Sequence, residues 1–113
     1  MKQLHVTLAQ LVPKLGDKAS NYEMIEKTMH EAKKQGSQLV VFPELFLTGY
    51  SIGEKVGEVA ETTEGPYIRK IRELCKQLQI NTVISYPESD GTGNYYITSS
   101  YIDDQGNLLG SYR

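Results

Sequence analysis

The run Leu39-Val40-Val41-Phe42, broken by Pro43, constrains this chain more than any other feature. Consecutive apolar residues rich in β-branching predict a strand covered on both faces. Pro43 stops the ladder, because it has no N–H to donate and its ring fixes φ. Glu44 follows at once, and Leu45, Phe46 and Leu47 come after it. The order predicts a carboxylate at the carboxyl end of an interior strand, crowded by apolar neighbours. Ligands bind at that end of open α/β sheets. Position alone leaves two uses for such an acid: part of a site, or a strand-end group that faces water or caps the next turn.

The flanking sequence alternates strands with helices. Leu4, Val6 and Leu8 alternate with His5, Thr7 and Ala9, predicting a first strand over about residues 3–10. Asp17 suits an N-cap, and a helix then runs to Gly36, with Tyr22, Ile25, Met29 and Ala32 sharing one face. Residues 51–64 combine Gly and Glu with short apolar spacing (Ile52, Val56, Val59, Ala60), which reads as an irregular loop holding a helical turn. Gly65-Pro66 opens a second helix on which Ile68, Ile71, Cys75 and Leu78 trace the apolar stripe, widened by Leu74. A third strand spans Thr82–Tyr86 and is closed by Pro87; a fourth spans Tyr95–Ile102 and a fifth Leu108–Tyr112, with turn clusters between them. The order predicts an α/β fold with two helices packed on one face of a mixed sheet.

A chain of 113 residues is one domain or part of one, and buries roughly two-thirds of its unfolded surface. Its single cysteine precludes an intrachain disulfide and suits a reducing cytoplasm. The amino-terminal run, interrupted by His5, Thr7 and Gln10, has neither the core of a signal peptide nor the length of a membrane span. His5 and His30 stand apart from any Asp, Glu or Cys at ligand spacing, so no metal is expected. Net charge is −2, distributed in blocks: residues 44–64 carry five Glu against one Lys, while 65–79 are basic. Most of the tyrosines lie in acidic surroundings near the carboxyl terminus and read as strand-formers, which argues against nucleic-acid binding. No Gly-x-Gly-x-x-Gly or Walker loop follows the first strand, which disfavours a nucleotide site.

The wording of Val-Val-Phe-Pro-Glu-Leu-Phe-Leu-Thr-Gly-Tyr resembles the glutamate signature of the nitrilase superfamily of carbon–nitrogen hydrolases. The stretch from Ile102 to Arg113 is similar to the family run that leads into Tyr-Arg-Lys. The resemblance covers essentially the whole chain and implies the first half of a four-layer α-β-β-α sandwich, a single incomplete domain over residues 1–113. One departure is Ile97, which follows Tyr96 where family members commonly have asparagine.

In that family a Glu–Lys–Cys triad cleaves amides, nitriles or carbamoyl amines. The resemblance places the glutamate, a general base, at Glu44, and Tyr50 as a candidate for contact with substrate. It implies a small-molecule amide or nitrile as partner, a homo-oligomer, and no cofactor. The family lysine falls just after Arg113, and the family nucleophile comes later still. Cys75 lies on the buried stripe of a helix, where a thiol acts as a small hydrophobe rather than a nucleophile. The 113-residue chain is therefore expected to be inactive by itself and to expose apolar surface where the second sheet would sit. Two other readings remain: a non-catalytic association module, and one chain of an enzyme split in two.

Overall fold

The computed structural model describes residues 3–50 and 53–113. Its elements in order are β1 (Val6–Leu8), α1 (Lys18–Lys34), β2 (Leu39–Val41), α2 (Val56–Val59), α3 (Pro66–Leu78), β3 (Asn81–Ser89), β4 (Tyr95–Ile102) and β5 (Leu108–Tyr112). A 3₁₀ turn, Gly53–Lys55, precedes α2, within the stretch read as a loop; Ser51 and Ile52 of that stretch lie outside the described residues. The strands form one sheet in the order β1-β2-β3-β4-β5. The first three run parallel, and β3, β4 and β5 form an antiparallel meander.

Local chemistry explains the helix ends. The Asp17 side chain accepts from the Ser20 N–H at 3.0 Å, the cap that opens α1. Gly36 takes φ 83° just past its end, a conformation that costs glycine nothing. Pro66 occupies the first turn of α3, where a missing N–H is harmless. Ile25, Met29 and Ala32 of α1 meet Ile68, Ile71, Leu74 and Cys75 of α3 over Val40, Ile84 and Ile102 of the sheet, and all ten are buried. Asn21 is also buried, although its type gave no hint of it. Its amide donates to the carbonyls of Lys14 (2.8 Å) and Leu47 (3.0 Å), tying α1 to the loops after β1 and β2.

Both long helices lie on one face, and the other face is open. The register aligns Val6 with Leu39 and Leu8 with Val41, placing these residues on the open side. Leu8 is 66% exposed and Ile97, on the same side of β4, 51%. The helices cover β2 on one face only, and apolar surface is exposed on the face where a second sheet was expected. β1 is also shorter than its alternation implied: it faces the core only through Thr7, whose hydroxyl hydrogen-bonds Ser37.

Pro87 does not close β3, which continues to Ser89. The reason is direction. The Pro87 carbonyl points away from β4 and accepts from the Glu61 N–H at 3.0 Å, so the absent N–H would also point that way. The pairing of Pro87 with Ile97 loses nothing.

Candidate active site

β3 docks the chain beyond β2 rung by rung. Phe42 N–H donates to the Val83 carbonyl at 3.1 Å, and Leu47 N–H to the Ser85 carbonyl at 3.4 Å. Between them the chain makes a sharp elbow. Leu45 has φ 55°, a left-handed position that costs a bulky residue about 1 kcal/mol. Its N–H donates to Ser85 Oγ at 2.9 Å, and its carbonyl accepts from Gly49 N–H at 2.8 Å and Thr48 N–H at 3.2 Å. Gly49 (φ 82°) is required: a Cβ there would stand 3.1 Å from the Leu15 Cα.

The elbow sorts side chains by polarity. Leu45, Phe46 and Leu47 turn inward and are buried, whereas Glu44 turns outward and is exposed. The expected crowding of Glu44 by those neighbours is not found: they are buried, and the acid is exposed at the left-handed turn that begins at Leu45. Tyr50, 64% exposed, folds back and donates its hydroxyl to Glu44 Oε2. The two site residues singled out in the sequence are therefore in direct contact. Ser85, which the strand pattern did not distinguish, accepts from the N–H of Leu45, which lies between them in the chain.

Two buried acids flank this end of the sheet. Glu61, 4% exposed, accepts from the N–H groups of Tyr67 (2.9 Å) and Ile68 (3.1 Å) and from Lys18 Nζ (2.8 Å). It thereby caps α3 and binds it to α1, and it packs so tightly on Gly65 that a Cβ there would lie 2.5 Å from Glu61 Oε1. Glu88 accepts from Thr98 Oγ1 at 2.8 Å and from two nitrogens of Arg113 at 3.1 and 2.9 Å. The Arg113 hydrogen bonds hold its carboxyl below the usual carboxylate range, against the opposing push of burial.

Cys75 is fully buried, and burial, helped by Asp103 and Asp104, pushes its thiol up to about 12. Such a thiol is protonated at neutral pH and is not a nucleophile. A cleft of about 380 Å³ beside α3 and the β4–β5 turn mixes Arg69, Arg72 and Lys76 with Glu64 and Glu73, and involves neither Glu44 nor Tyr50. Among the described residues no group of three His, Cys, Asp or Glu could hold a metal, and no helix is long and apolar enough to cross a membrane.

Residues 5–113 match the family model described as carbon-nitrogen hydrolase. A glutamine-dependent NAD(+) synthetase of Thermotoga maritima is 35% identical over all of this chain and 19% of its own length. A nitrilase of Pyrococcus abyssi is 34% identical over 96% of this chain and 42% of its own. The crystal structure of an amidase from Nesterenkonia sp. superposes with a TM-score of 0.85 at 28% identity, covering 97% of this chain and 42% of that one. The chain thus spans at most about two-fifths of the length of these relatives.

Proposed function

We propose, because this chain belongs to the carbon–nitrogen hydrolase family, that it is the amino-terminal portion of an enzyme that cleaves a non-peptide C–N bond. The substrate is a small amide, nitrile or carbamoyl amine, with Glu44 as general base and Tyr50 beside it at the substrate mouth. The observation that carries this reading is the elbow after β2, which leaves the Glu44 carboxylate exposed at the carboxyl end of the sheet.

A thiol supplied by the remainder of the protein attacks the amide carbon, and Glu44 takes its proton. A lysine ammonium, expected just after Arg113, offsets the charge that builds on the tetrahedral intermediate. Glu44 returns the proton to the leaving nitrogen, the C–N bond breaks, and a thioester remains. Glu44 then activates a water that hydrolyses it. The active enzyme is proposed to be a cytoplasmic homo-oligomer.

The test is ammonia or amine release by the longer protein. Glu44→Gln should lower kcat by about 10³-fold, and the 113-residue chain alone should release none. Turnover by this chain alone that depends on Glu44 would overturn the reading.

A further inference from the structure

Ser85 is a buried hydroxyl on the side of the sheet opposite the two long helices, where it faces Ser99 of β4. It is 2% exposed, whereas Leu8 and Ile97 on that side are more than half exposed. What covers it is the segment after β2, whose Leu45 N–H it accepts. That N–H belongs to the one residue of the segment, other than glycine, that holds a left-handed backbone, and the residue follows Glu44 directly. Without the acceptor, a buried donor is left unpaired at the point where the backbone is already strained. The elbow would relax toward an ordinary φ and carry the Glu44 carboxylate with it.

We infer that Ser85 is the positioning residue of the reaction: its hydroxyl holds Leu45 in the left-handed conformation that aims Glu44. The inference rests on the reading of Glu44 as general base. It adds a residue on a different strand, forty positions away in the chain, whose effect on catalysis is exerted through the backbone alone. The hydroxyl itself touches no reacting atom. A base displaced by about 1 Å loses up to about 100-fold in rate while substrate still binds, so kcat carries the effect and KM does not.

Threonine and valine at position 85 have nearly the same shape and differ in the hydroxyl, which separates the hydrogen bond from packing. In the longer protein, Ser85→Val should lower kcat at least about tenfold with KM within about threefold, while Ser85→Thr stays near wild type. In the 113-residue chain the Leu45 amide should exchange faster in Ser85→Val than in Ser85→Thr, with the Ile84 amide unchanged. Should Ser85→Val not fold, Ser85→Ala, which adds no bulk, is expected to show the same losses. Equal kcat in the Val and Thr variants, or unchanged Leu45 exchange, overturns the inference. An inactive wild-type longer protein overturns instead the reading beneath it, and the inference with it.

Discussion

The two faces of the sheet are built from similar residues and serve opposite ends. The covered face carries Val40, Ile84 and Ile102, each with no exposure, under α1 and α3. The open face carries Val6, Leu8 and Ile97, which are 43%, 66% and 51% exposed. The lesson is that apolar character alone did not decide burial; the presence of a partner layer did. That face is uncovered in this chain, and the relatives it matches are more than twice its length.

The largest break in the comparison is a pair of truncations. Ile84→Ala on the covered face should cost about 4 kcal/mol, whereas Leu8→Ala on the open face should change stability by less than about 0.5 kcal/mol, both measured by urea unfolding. Equal costs would mean that the open face is covered in solution.

Next in size is the clasp that keeps the helices on their face. Glu61→Ala removes a buried carboxylate from Lys18 and from the α3 N-terminus, and should cost about 3 kcal/mol by the same measurement. The open face itself is sharpened by charge. Its exposed apolar residues should drive self-association of the chain, and Ile97→Lys should weaken that association at least about tenfold, or roughly 1.4 kcal/mol, as read by sedimentation.

The smallest expected effect is acid-dependent. Glu88 is held below its ordinary value of 4.5 by Arg113. Its contribution to stability is therefore complete above the ordinary carboxylate range and is lost as pH falls through the lowered folded value. Glu88→Gln should flatten the acid limb of the stability curve; an unchanged limb would assign the acid loss to other groups.

Much of this was legible along the chain. Asp17, Gly36, Gly65 and Pro66 act through contacts with their own neighbours, so the helices fell where those residues put them. β4 and β5 began and ended as the turn clusters indicated. Glu44 and Tyr50 were singled out through the wording of one run, and the structure adds that they touch. Glu61, Ser85 and Asn21 gave no signal, since each acquires its meaning from partners 6 to 43 residues away. Pro87 misled for the same reason: whether a proline ends a strand depends on which way its missing N–H would point.

By itself the sequence determined the alternation of strands and helices, the stripe each helix buries, and the carboxylate after the second strand. Those are properties of periodicity and of local caps, which need no knowledge of the distant chain. Only the tertiary structure decided which face of the sheet is covered, that Glu44 points outward rather than into the core, and that a serine on the neighbouring strand holds the elbow beneath it. Each of these depends on what the register of neighbouring strands brings together, and register is fixed by packing over the whole sheet.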